Sequence, residues 1–199
     1  LRIILSTGIG VIEHPFTISG SALMPGDKII LSGTIAEHGM AVLSQREGLQ
    51  FEMPVLSDAA PLHELVQVML TVGGESVHAL RDATRGGVAA VLNEFATSSH
   101  VGIQIKEKAI PVLPAVAGAC GLLGLDPLYV ANEGKLVASV AAKKAGAVLS
   151  AMRKHPLGKD AVIVGEVVAD RPMLVSLQTA LGSWRIVDVP LTEQLPRIC

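Results

Sequence analysis

The sequence predicts an α+β domain, and three observations carry that reading. Half of the 199 residues are hydrophobic but only 3% are aromatic, so a sizeable core must be built from Ala, Val, Ile and Leu, as in compact enzymes that pack helices on a sheet. Strand-like runs and helical periodicities are interspersed without the strict alternation of a parallel doubly wound sheet. No internal repeat or low-complexity linker divides a chain whose length suits one large domain.

The elements follow in order. Pro25, Gly26 and Asp27 form a turn that feeds a buried strand from Lys28 to Leu31. Helices are expected at Glu37–Arg46 and at Pro61–Leu70, where Leu62, Leu65, Val66 and Met69 recur at helical spacing. "GESVHAL" returns to a strand and "RDATRGG" is a glycine-bearing turn, after which Val88, Val91, Leu92 and Phe95 step along one helical face. "VGIQIKE" alternates like a half-buried strand, and Pro111 and Pro114 lead into a small-residue helix ending near Gly124. "LYVAN" and "KLVASV" read as two short strands separated by Glu133 and Gly134, and "KKAGAVLSAMRKH" as a helix closed by Pro156 and Gly158. "AVIVGEVV", "MLVSL" and "WRIVDV" are strand-like up to a tail that carries Pro190, Pro196 and a terminal Cys199.

Sixteen basic and eighteen acidic side chains give a formal charge of −2, which leaves no electrostatic footprint for nucleic acid and no basic block for a membrane surface. No apolar run reaches the ~18 residues of a membrane span. Two cysteines make neither a disulfide framework nor a metal quartet, and the scattered histidines have no zinc-ligand spacing, so no metal site is expected. Free thiols and the absence of an export signal point to the cytoplasm. Opening at Leu1 as an apolar strand without a lead-in, the chain reads as the C-terminal part of something longer, with boundary composition in "TISGSALMPGD".

Four stretches could carry chemistry. In "LRDATRGGVAAVLNEF" two glycines close a turn at a helix start, with Thr84 as the N-cap and Arg85 alongside, a place suited to an anion or simply a capped junction. In "YVANEGKLV", Glu133 and Lys135 occupy a tight polar turn, which is either a solvated surface turn or a scaffold aiming a carboxylate. His155, Lys159 and Asp160 in "HPLGKDAVIVGEV" read as a surface turn. Cys120, among small apolar residues, reads as core packing; Cys199 is either an incidental thiol or a nucleophile on a tethered arm.

"LRDATRGGVAAVLNEFA", "ANEGKLV", "HPLGKDAVIVGEV" and the terminal "LPRIC", in this order, resemble the hydrogenase maturation family HypE, and "SDAAPL" and "GDKIILSGTIAEHG" extend the likeness over nearly the whole chain. That family sits in the superfamily typified by aminoimidazole ribonucleotide synthetase and selenophosphate synthetase. The resemblance implies the C-terminal domain of that fold, a mixed sheet packed with helices, over residues 18–188. Residues 1–17 would be the remnant of an N-terminal domain that holds most of the ATP- and Mg2+-binding acids, and 189–199 a flexible tail ending in the reactive cysteine. It implies that Cys199 receives a carbamoyl group from the carbamoyltransferase HypF, that ATP drives dehydration of this S-carboxamide to a thiocyanate, and that cyanide passes to iron on a HypC–HypD scaffold. Within that chemistry Glu133 is the expected base and Lys135 the stabiliser of oxyanion charge. Asp82, Arg85, Gly86 and Gly87 are the expected wall of the nucleotide or thiocarboxamide cleft. The family's homodimer and tight ATP binding rest mostly on the N-terminal domain, so the chain alone is expected to be inactive. Two other readings are a purine- or selenium-pathway synthetase acting on a free small molecule, which has no need of Cys199, and a non-catalytic docking module.

Overall fold

The computed structural model describes residues 9, 11–49 and 54–189. Among the described residues seven strands form one sheet: β1 (Lys28–Leu31), β2 (Val77–Asp82), β3 (Gly102–Lys106), β4 (Leu136–Val140), β5 (Val162–Val168), β6 (Val175–Gln178) and β7 (Trp184–Ile186). Their order is β2-β4-β1-β5-β3-β6-β7. The sheet is mixed: β3 and β6 run parallel, and every other neighbouring pair is antiparallel. In the same described residues five α-helices accompany it: α1 (Glu37–Glu47), α2 (His63–Gly73), α3 (Gly87–Ser99), α4 (Pro114–Leu123) and α5 (Ala142–Met152).

Strand alternation sorts the core into layers. Ile29 and Leu31 of β1, Val137 of β4, and Ile103 and Ile105 of β3 point to one face, where Val88, Val91, Leu92 and Phe95 of α3 cover them. Ile30, with Leu136, Ala138 and Val140 of β4, points to the other face and meets Leu65 and Met69 of α2 and Val148 and Met152 of α5. All five residues of β4 are therefore buried. A third cluster joins α1 and α4 through Met40, Leu43, Val116, Ala119 and Cys120. Among the described residues no helix is long and apolar enough to cross a membrane.

Two local expectations are corrected. "LYVAN" is not a strand: Pro127–Tyr129 makes a 3-10 turn in which the Asp126 carboxylate accepts the Leu128 N–H at 3.0 Å. Proline lacks the N–H a ladder requires, and the aspartate offers the backbone a local alternative. Thr84 does not cap α3. Gly86 holds the N-cap in the left-handed region at φ 70°, and Thr84 contributes only its carbonyl, which accepts the Gly87 N–H at 3.1 Å. The tail from 190 to 199, Cys199 included, and residues 1–8 and 10 lie outside the described residues.

Three strands are joined by a buried polar knot at one end of the sheet. Asp27, 3% exposed, accepts through Oδ2 from His78 Nδ1 (2.7 Å) on β2, Ser139 Oγ (2.9 Å) on β4 and the Met24 N–H (3.0 Å). Removing the acceptor strands these donors away from water, which is costly. Asp27→Ala is expected to lose about 3 kcal/mol of stability and to lower the melting temperature by about 6–12 °C, measured by thermal denaturation.

Candidate active site

At the opposite end of the same strands the β2–β4 pairing runs on past its last ladder pair, Asp82 opposite Leu136. The Ala83 N–H donates to the Lys135 carbonyl (3.1 Å), and the Asn132 N–H donates to the Ala83 carbonyl (3.0 Å). This continuation brings the 132–135 turn beside the 82–87 turn, two stretches some fifty residues apart in the chain.

The Asn132 side chain is fully buried at the junction. Its Nδ2 donates to the carbonyls of Ala83 (3.0 Å) and Val130 (3.1 Å), and its Oδ1 accepts the N–H of Ala36 (2.8 Å). Ala36 stands in the left-handed region at φ 74°, at the start of α1. A non-glycine residue held there costs on the order of 1 kcal/mol, which the Asn132 bond offsets.

An open cleft of about 470 Å³ results, lined by Arg81, Asp82, Thr84, Arg85, Ala90, Val91, Glu94 and Glu133. The structure thus brings together three of the residues expected from sequence: Asp82, Arg85 and Glu133. Of the two guanidinium and three carboxylate groups on this wall, Arg81 is engaged with both Asp82 (3.4 Å) and Glu94 (3.4 Å). Among the described residues the side chains of Arg85 and Glu133 have no hydrogen bond or ion pair. One cation and one half-buried carboxylate therefore face the same space without internal partners, the first able to receive an anion and the second a proton.

Gly86 and Gly87 are not part of that lining. Both hold left-handed backbone, at φ 70° and 63°. A Cβ on Gly87 would lie 2.5 Å from the Leu128 carbonyl oxygen and 2.7 Å from that of Val130. This glycine lets α3 begin against the 127–130 segment and so fixes where Arg85 emerges.

Lys135 lies on the other side of its turn, also outside the cleft lining. Its ammonium stands between Glu37 Oε2 (3.2 Å) and Asp58 Oδ2 (3.4 Å), with side-chain exposures of 15%, 13% and 1% for Lys135, Glu37 and Asp58. Asp58 also accepts the N–H groups of Glu133 (Oδ1, 3.1 Å) and Gly134 (Oδ2, 3.4 Å). Sequence reasoning missed Asn132 and Asp58. The first stands next to Glu133 in "ANEG", but the second meets its partners across some 75 positions and leaves no local signal.

The other thiol is set apart from chemistry. Cys120 is 1% exposed, and burial, with a smaller contribution from the Asp126 charge, pushes its pKa up to about 11. No group of three or more metal-ligating side chains occurs among the described residues.

Fold and cleft together define a class of protein. The chain belongs to the family "AIR synthase related protein, C-terminal domain", whose model matches residues 24–176. Within that class its likeness is to carbamoyl dehydratase HypE of Bradyrhizobium diazoefficiens (strain JCM 10833 / BCRC 13528 / IAM 13628 / NBRC 14792 / USDA 110), 53% identical over 98% of this chain and 57% of the relative. A HypE structure in a HypE–HypF complex superposes with a TM-score of 0.84 at 48% identity, covering 87% of this chain and 56% of that one. A HypE structure in complex with ATP gives 0.84 at 43% identity, over 92% and 55%. The chain spans somewhat over half the length of the curated relatives it matches.

Two outcomes follow from this geometry. Gly87→Ala is expected to destabilise by roughly 2–4 kcal/mol, whereas Gly118→Ala, within α4 with nothing inside 4 Å of the added carbon, should stabilise by about 0.5–1 kcal/mol; urea denaturation of the pair checks this. At about pH 8 only roughly one part in a thousand of Cys120 is thiolate, so iodoacetamide should leave it unmodified in the native protein and label it after unfolding, as read by peptide mass spectrometry.

Proposed function

We propose that this chain, at the full length of its relatives, is an ATP-dependent carbamoyl dehydratase of hydrogenase maturation that works on its own C-terminal Cys199. The observation that carries the reading is the unmatched pair in the cleft, Arg85 and Glu133. The names of the relatives support the activity, the ATP complex of one neighbour supports the co-substrate, and the HypF complex of another supports the source of the carbamoyl group.

The substrate is a cysteine S-carboxamide, and its conversion to a thiocyanate removes one oxygen and two nitrogen-bound protons. ATP supplies the phosphoryl group that turns the amide oxygen into a leaving phosphate. Glu133, without a partner among the described residues, takes one proton from the amide nitrogen, and the second leaves with the departing phosphate. Arg85 receives phosphate oxygens, where a guanidinium fork binds two at once. Asp82, paired with Arg81, borders the same wall and keeps that second guanidinium fixed. Gly86 and Gly87 set the position of Arg85 through the start of α3. Lys135 reaches an oxyanion only if its pairs with Glu37 and Asp58 open. The described residues offer no cluster for Mg2+; in this proposal the acids of the N-terminal domain hold it. Residues 1–17 continue, in this proposal, an N-terminal ATP-binding domain through which the full-length protein dimerises. The 189–199 arm brings Cys199 into the cleft at an effective concentration on the order of mM, and the cyanide formed there is delivered to iron on HypC–HypD.

The test uses the protein at its relatives' full length, carbamoylated by HypF. Glu133→Gln should slow loss of water from the C-terminal peptide by about 10²–10⁴-fold while ATP binding persists. A normal rate in that variant, or modification outside the C-terminal peptide, overturns the proposal.

A further inference from the structure

We infer that Asp58 is a positioning residue for Glu133: a buried carboxylate on an irregular loop that holds the backbone of the base-bearing turn. The inference rests on the reading of Glu133 given above and adds to it the group through which the base is placed.

Residues 54–62 form no helix or strand, yet Asp58 is 1% exposed at its side chain. Its two oxygens are divided between consecutive N–H groups, Oδ1 on Glu133 (3.1 Å) and Oδ2 on Gly134 (3.4 Å). Successive backbone N–H groups that converge on one anion form a nest, so the turn itself supplies a binding place for this carboxylate. Among the described residues these are the side-chain hydrogen bonds that join the loop to the Glu133–Gly134 backbone. The fit leaves no slack: a Cβ on Gly134 would fall 1.8 Å from the Asp58 carbonyl oxygen.

The charge is compensated on the far side. Lys135 Nζ stands 3.4 Å from Asp58 Oδ2 and 3.2 Å from Glu37 Oε2, and Glu37 is itself held by the Thr34 hydroxyl at 2.8 Å. A carboxylate buried this deeply is tolerated because two N–H groups and an ammonium meet it. The result is a division of labour across one turn: Asp58 and Lys135 hold it from behind, and Glu133 leaves it toward the cleft. A misplacement of about 1 Å in a reacting group can cost on the order of 10²-fold in rate, so a clamp one residue from the base has kinetic weight.

Two measurements on the full-length protein test this. The first is amide hydrogen exchange by NMR. In the wild type the Glu133 and Gly134 amides should be protected, and in Asp58→Asn that protection should fall while the amides of β4 and α3 keep theirs. The second is kinetic. Asp58→Asn should lower kcat by about 10–100-fold with KM for ATP within about twofold, and Asp58→Asn/Glu133→Gln should be no slower than Glu133→Gln, because a residue that acts through another adds nothing once that other is gone. Wild-type exchange of the two amides at the rate of unstructured peptide overturns the inference, even if the Asp58 variant fails to fold. Rate losses that multiply in the double variant also overturn it, since Asp58 then acts by another route. A normal rate for Glu133→Gln alone strikes instead at the catalytic reading of Glu133, and exchange still decides whether Asp58 holds the turn.

Discussion

The cleft depends on a single buried amide. Asn132 has no access to water, and each of its polar atoms is matched by backbone from a different part of the chain: Ala36 before α1, Ala83 after β2, and Val130 on its own segment. A buried donor or acceptor without a partner costs about 1–3 kcal/mol, so these segments have one arrangement that satisfies them all. That arrangement sets the 82–87 and 132–135 turns side by side. Sheet pairing alone would bring them near, because β2 and β4 are neighbours, but their relative height is decided where the ladder ends and side-chain hydrogen bonds take over.

Charge is then allotted by geometry rather than by number. Two arginines and three acids line the cleft, a composition that would suit a solvated surface network. Because Arg81 is drawn between Asp82 and Glu94, and Lys135 between Glu37 and Asp58, the groups left without partners among the described residues are Arg85 and Glu133. The exposed pairs of Arg81 add little stability. Their consequence is selective, since they occupy the cation that would otherwise neutralise Glu133 and the two carboxylates that would otherwise neutralise Arg85.

Much of the architecture was legible because burial writes a period into the sequence. Val88, Val91, Leu92 and Phe95 recur at helical spacing because one face of α3 covers the sheet, and the β4 run "LVASV" is nearly continuous because both of its faces are covered. "LYVAN" has the apolar content of a strand, but an Asp-Pro pair converts it locally into a 3-10 turn, and the apolar side chains fill the core from that turn instead. Asp82, the last residue of β2, was expected only from the family resemblance, whereas Arg85 and Glu133 were readable as candidates because each stands in a turn beside a glycine. Asp58 and Asn132 were not, since nothing in "SDAAPL" or "ANEG" announces which distant N–H or carbonyl each will meet. Side-chain to backbone bonds of long range have no periodicity, and they are what place the cleft's residues.

The two ends of β2 and β4 show why this matters for a working site. At one end Asp27 gathers donors from β2 and β4 onto a single carboxylate oxygen. At the other the chain leaves the ladder, and the turn that carries Glu133, tied at its ends to Ala83 beyond β2, has its two central N–H groups held by a loop. Loops on a rigid scaffold are where reactive groups can be aimed, and their weakness is that backbone freedom blurs the aim. A buried carboxylate that accepts two adjacent N–H groups removes that freedom while leaving the side chain of Glu133 unconstrained by partners of its own. Rigidity in the backbone and availability in the side chain are thus obtained at the same residue, which a strand position, with its side chain packed into a face of the sheet, would not allow.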